Sequence, residues 1–290
     1  MGGANAGGAR AAEDSRRGAA WMALSLAGFT ANSLLLKGFA DAGGDAWLAL
    51  AVRSGGGLVV LAVWFAPDLG RCLRHPPLIA RGVLGGLSTA CFYLSIGPLG
   101  AGKATLIGTT WPAFAALAAV VLIGEPLGAA RAAGIALALA GLALLTGTAG
   151  AALTAPGLWE AVGLAGAVMA AAVILLIRQL VRAESSATIF GAQCVYGLLL
   201  GAPIAAWGWR GLSPADAAML LLATLAAIAG QLAMTEGFRH LSVAAGGALQ
   251  LLTPLAVTAG GVLWFGEAFA PAQAAGAALI LAGTFTALRR

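Results

Sequence analysis

Apolar residues fill this chain in blocks of about 20, the length of helix that crosses a hydrocarbon core, and polar residues are confined to short intervals between the blocks. On that scale the pattern predicts helical spans over 18–38, 45–66, 78–98, 101–123 and 129–148, then over 156–178, 187–208, 215–238, 243–265 and 270–288. No interval is long enough for a soluble domain. The two most apolar stretches repeat at an offset of 142 residues without a gap: Pro112 answers to Pro254, Gly124-Glu125 to Gly266-Glu267, Gly134 to Gly276 and Gly141 to Gly283. One unit of about half the chain is therefore present twice. Five spans per unit is an odd number, so the second copy must lie inverted, an arrangement that alternating-access transporters use. The expected fold is an all-α membrane protein of ten transmembrane helices in two inverted five-helix repeats, 18–148 and 156–288, after a flexible cytoplasmic leader over 1–17.

Composition agrees with that pattern. The 290 residues are 60% hydrophobic and 9% charged, against roughly 25% charged in soluble domains, and the mean hydropathy is +0.93. The net charge of +5 is spread between spans rather than gathered in a stripe, so bilayer orientation accounts for it better than nucleic acid does. With the amino terminus inside, 12 of the 16 basic residues fall on the cytoplasmic side: Arg10, Arg16, Arg17, Arg71, Arg74, Arg81, Arg131, Arg178, Arg182, Arg239, Arg289 and Arg290. Lys37, Lys103 and Arg210 fall outside and Arg53 within a span, which makes both termini cytoplasmic. The run from Gly18 to Leu36 exceeds a signal-peptide core and reads as a retained span. Cys72, Cys91 and Cys194 have neither paired spacing nor a histidine cluster, so they predict no disulfide framework and no zinc site.

The residues able to carry function lie in the spans. Pro112 and Pro254 fall about 17 Å into their helices at 1.5 Å per residue, near the midplane. Each removes its own N–H and frees the carbonyl four residues earlier, which belongs to Gly108 and to its repeat equivalent Gln250. Such breaks serve either as packing kinks or as solute-coordinating points at a repeat interface. Thr105 and Thr109 share a face with Pro112, and Gly247, Gln250 and Thr253 accompany Pro254. Trp111 and Tyr93 offer aromatic surface for a ring or a cation, or for packing. Asn32 and Gln231 are uncharged polar groups at depth and need partners or a watery cavity. The substrate-binding candidates are accordingly Asn32, Tyr93, Gly108, Thr109, Trp111, Gln231, Gln250 and Thr253, and the structural or gating candidates are Lys37, Arg53, Pro112, Glu236 and Pro254.

Arg53 is the costliest of these, since a mid-span arginine carries roughly 2.5–3.5 kcal/mol on insertion scales. It pairs with Asp41 or Asp45, or it attracts an anionic solute group. Lys37 reads as a snorkelling anchor. Glu236 precedes Arg239 and His240 by three and four residues, within ion-pair reach of either. No carboxylate occupies the middle of the first span, so a proton carrier is lacking there, with Glu236 as the remaining candidate. Small residues at Gly82 and Gly86, at Gly134, Ala138 and Gly141, and at Gly276 and Gly283 predict closely packed helices. Two histidines, His75 and His240, and no nucleophile-base or metal-ligand spacing leave enzymatic chemistry without a constellation, and no cofactor is called for.

The stretch Phe29-Thr30-Ala31-Asn32-Ser33-Leu34-Leu35-Leu36-Lys37 resembles the first-span motif of EamA-type permeases of the drug/metabolite transporter superfamily, with Phe29 and Thr30 where tryptophan and glycine are usual. The second-span arginine and the two Pro to Gly-Glu stretches are similar to the family as well, over nearly the whole chain. The resemblance implies a ten-span bundle in the inner (plasma) membrane. It also implies a central cavity lined by the first, third, fourth, sixth, eighth and ninth spans. A secondary permease for a small organic solute follows, with export of amino acids or related metabolites the leading case and a non-transporting scaffold or receptor the alternative. The partners expected are the solute and the lipid bilayer, in a monomer or homodimer.

Overall fold

The computed structural model describes residues 3–124, 127–145, 157–208, 211–266 and 270–288. Glu125, Glu267, Arg210, Arg289 and Arg290 lie outside these, as do the side chains of Arg10, Lys103 and Thr105. The first half forms α1 (Gly3–Asp41), α2 (Ala46–Trp64), the short α3 (Leu69–Arg74), α4 (Pro76–Gly108), α5 (Trp111–Ile123) and α6 (Ala129–Leu145). The second half forms α7 (Leu158–Leu180), α8 (Ser186–Trp207), α9 (Pro214–His240), α10 (Val243–Gln250), α11 (Thr253–Phe265) and α12 (Pro271–Leu288).

Helix starts follow capping chemistry. Side-chain oxygens of Asp45, Ser185, Ser213 and Ser242 accept from the backbone N–H three residues on, at 2.7, 3.1, 3.1 and 3.2 Å, satisfying donors that an N-terminus leaves open. Pro214 adds the fixed φ favoured in a first turn. Gly124 and Gly266 close α5 and α11 at φ +65°, a left-handed conformation that glycine adopts without steric cost.

Among the described residues, seven segments are long and apolar enough to cross a membrane, and two shorter apolar helices cover 129–144 and 274–287. The chain is thus a multi-pass membrane protein, and its helix bounds differ in places from those expected. The third and fourth expected spans are not parted near residue 98: α4 continues through Pro98 to Gly108. The interruption comes at Thr109-Thr110 and recurs at Leu251-Leu252, again 142 residues on. Pro98 loses one bond and the helix continues past it, whereas at the two breaks the ladder itself tightens to three-residue spacing. Thr110 N–H donates to the Ile107 carbonyl at 3.1 Å and its hydroxyl to the same carbonyl at 2.6 Å, while Leu252 N–H donates to Leu249 at 3.1 Å. The following prolines have no N–H with which to restore the α-helical register. The α1 backbone is helical from Gly3, and Arg17 pairs with Glu13 one turn earlier at 2.8 Å.

Helix pairing obeys a twofold exchange of the halves. α1 lies along α9 as α4 lies along α7, and α2 on α8 and α6 on α12 map onto themselves. The α6–α12 pair shows why small residues stand there. A Cβ at Gly134 would meet Gly283 O at 2.5 Å and Ala287 N at 2.4 Å, and one at Gly141 would meet Gly276 O at 2.6 Å. Only bare backbones fit at that approach.

Candidate functional site

A cavity of about 220 Å³ opens where α1, α2, α4, α5, α7, α8, α9, α10 and α11 converge. Asn32, Tyr93, Gly108, Thr109, Trp111, Gln231, Gln250 and Thr253, singled out above from eight scattered positions, all line it. Both helix breaks contribute, and they touch each other: a Cβ at Gly247 in α10 would lie 3.1 Å from Pro112 Cβ and 3.9 Å from Trp111. Pro112, Pro254, Lys37 and Glu236 do not line it.

The polar groups of the wall are held in three sets. On the second-half break, Gln250, 5% exposed, donates from Nε2 to Ser25 Oγ at 2.8 Å and accepts from Thr253 Oγ1 at 3.2 Å, tying α10 to α1 and α11. Its side chain is therefore a structural tie as well as a cavity group. On α1, Asn32 donates to the Ala223 carbonyl of α9 at 3.0 Å and is within hydrogen-bonding reach of the Tyr93 hydroxyl. Nearby on α9, Gln231 is 4% exposed and its Nε2 has no partner.

The third set is centred on Arg53, and neither Asp41 nor Asp45 partners it. Asp45 caps α2 instead, accepting from Leu48 N–H. Arg53 Nη1 donates to Thr89 Oγ1 at 3.0 Å; Thr89 donates to the Gly85 carbonyl at 2.9 Å and accepts from Gln193 Nε2 at 3.0 Å; Gln193 Oε1 accepts from Arg81 Nη2 at 2.9 Å. Arg81, counted above among cytoplasmic charges, is completely buried in the bundle. It enters α4 one and a half turns after Pro76, where α8 covers that helix face.

Thr89, Gln193 and Arg81 are the functional candidates that sequence reading missed. Gln193 was open to the argument that found Gln231, an uncharged amide deep in an apolar helix. Thr89 gave no such signal, because a helical threonine can satisfy itself on the carbonyl four residues back. Arg81 lies near a helix start, where charge counting places it in water.

Glu236 belongs elsewhere. Its carboxylate accepts from Ser186 Oγ and pairs with Arg239 Nε at 3.1 Å, and Arg239 also donates to the carbonyls of Val181 and Glu184. His240 faces Asp14 at 3.6 Å instead. This cluster ties the α7–α8 turn to the end of α9. Among the described residues, no group of three or more His, Cys, Asp or Glu could hold a metal ion.

The model of the EamA-like transporter family matches residues 16–147 and again 157–289, one match per repeat. A solved crystal structure that is 20% identical superposes with a TM-score of 0.69 over 97% of this chain and 96% of its own, a likeness of fold. No curated protein sequence matches the chain.

Proposed function

The chain belongs to the EamA-like transporter family, and from that premise we propose that it is a secondary permease that moves a small organic solute through the central cavity by alternating access. One observation carries the reading: two broken helices, one from each repeat, meet beside a cavity lined by polar groups. Membrane proteins tolerate interrupted helices at depth where the backbone lines a cavity, and transporters place solute there. The cavity of about 220 Å³ suits a solute of amino-acid scale. Export of amino acids or related metabolites is the specific activity proposed, in an inner-membrane protein with both termini cytoplasmic, an orientation supported by the excess of basic residues on that side.

During a transport cycle the two repeats would rock about the α6–α12 and α2–α8 contacts, which the twofold exchange leaves in place. Gln250 and Thr253 would meet solute from one repeat, Thr109 and Trp111 from the other. Protein reconstituted in liposomes loaded with a labelled metabolite panel should show counterflow of at least one solute. Absence of flux for the entire panel from correctly folded protein would overturn the reading.

A further inference from the structure

Arg53 is 8% exposed and Arg81 is not exposed at all, and both sit within the bundle. The Thr89 and Gln193 bridge between them is neutral, so the cluster carries two positive charges and no negative one. Among the described residues, no carboxylate lies within ion-pair distance of either guanidinium; the ion pairs there use Arg17, Arg71, Arg239 and His240. A purely structural buried arginine brings its own counter-charge, because an unpaired one is costly. Here the counter-charge is missing on the side that faces the cavity, which Arg53 and Gln193 both line.

The unsatisfied atoms tell the same sign. Arg53 Nε and Gln231 Nε2 in the wall, and Arg81 Nε and Nη1 behind it, lack hydrogen-bond partners, and all four are donors. The remaining wall is mainly apolar, with Phe29, Trp111, Val173, Ile174 and Met234. Among the described residues neither aspartate nor glutamate lines the cavity, so a cationic or zwitterionic solute would leave its ammonium group without an ionic partner.

We propose, building on the permease reading above and narrowing its solute from amino acids to related metabolites that carry no ammonium group, that the solute is an organic anion, a carboxylate on a compact apolar or aromatic body, anchored by Arg53, with Arg81 adding positive charge through Gln193. A planar carboxylate suits the guanidinium fork, and the aromatic wall suits the body. Thr89 and Gln193 act as positioning residues that fix Arg53 toward the cavity.

The test uses the purified full-length protein and calorimetric binding of isovalerate, benzoate and phenylacetate, each beside its neutral amide, with phenethylamine and phenyl phosphate as further arms. At least one carboxylate should bind tenfold or more tighter than its amide. Arg53→Gln should remove that preference, and Arg53→Lys, which keeps the charge, should restore part of it. Binding of none of the carboxylates above its amide, or an undiminished preference in Arg53→Gln, overturns the proposal. Tighter binding of phenyl phosphate than of every carboxylate also overturns it, in favour of a phosphate ester. If Arg53→Gln fails to fold, the carboxylate-to-amide ratio of the unaltered protein decides the matter alone. Carboxylate binding without flux in liposomes would sink the permease reading and leave this one standing, whereas flux of neutral or cationic solutes without carboxylate preference would do the reverse.

Discussion

The two halves break the same helix at the same place and set different chemistry around the break. In the first half the interruption is Thr109-Thr110, preceded by Gly108, which offers only backbone; in the second it is Leu251-Leu252, preceded by Gln250, which offers an amide tied to Ser25 and Thr253. The second and seventh expected spans also carry different polar groups. Arg53 is the eighth residue of α2 and Gln193 the eighth of α8, and the pair meets through Thr89. Duplication has kept the backbone geometry common to both copies, while the side chains around the break differ, with glycine in one copy and glutamine at the equivalent point of the other. Helix packing constrains the first, whereas the cavity and local hydrogen bonds constrain the second.

The comparison can be broken at its symmetric part. Gly134→Leu and Gly283→Leu put a side chain where a Cβ alone would stand 2.4–2.5 Å from backbone of the partner helix. Each should destabilise the protein by about 3 kcal/mol or more, seen as a large and nearly equal fall in Tm. Unequal effects would show that the α6–α12 contact is not shared evenly by the halves.

At the asymmetric part the expected effects are smaller and lopsided. Gln250→Leu strands the Ser25 and Thr253 hydroxyls, which should cost roughly 1–3 kcal/mol of stability while reducing flux more than the fold loss explains. Pro254→Ala should reduce flux more than Pro112→Ala, since the carbonyl that the restored N–H can engage belongs to Gln250, which also carries an amide, rather than to Gly108. Equal loss at both prolines with unchanged flux in Gln250→Leu would reduce the breaks to packing kinks.

The outlying clusters sharpen the contrast further. Glu236 is engaged with Ser186 and Arg239 away from the cavity, so uptake with and without an imposed pH gradient should agree within about twofold on an energy scale where tenfold is 1.4 kcal/mol. A strong gradient effect abolished by Glu236→Gln would reverse this. Smallest of all is the effect at Cys72 in α3, an element between α2 and α4. Burial first, then the nearby Asp68 and Glu184, push this thiol up from 9.0 to about 11. The native state therefore holds its proton where the unfolded chain has lost it, so this contribution to stability is intact below pH 9 and declines as pH rises toward 11. Maleimide labelling at pH 8 should leave Cys72 largely unmodified while labelling it readily after unfolding.

Much of this architecture was legible in the residues. The span pattern, the 142-residue repeat and the paired prolines located both helix breaks to within a few residues, because a missing N–H and a block of apolar residues act locally and leave a mark in composition. The eight residues that now surround one cavity could also be named beforehand, since polar groups deep in apolar helices are costly wherever the chain goes. Whether they bind solute is a question for flux. Helix bounds were less legible: α4 overran the expected turn near Pro98 because one lost hydrogen bond does not end a helix that neighbouring helices hold in place.

What the sequence determined by itself was membership of a membrane bundle, its duplication, and where its helices are weak. What only the tertiary structure decided was which charges meet. Arg53 and Asp45 are eight residues apart and end in different environments, while Arg53, Thr89, Gln193 and Arg81 come from three helices and form one chain of hydrogen bonds. Hydrophobic periodicity fixes which face of a helix turns inward, a one-dimensional property. The partner that a buried polar group finds depends on helix crossings set by close contacts such as Gly134 with Gly283, and those are properties of the packed bundle.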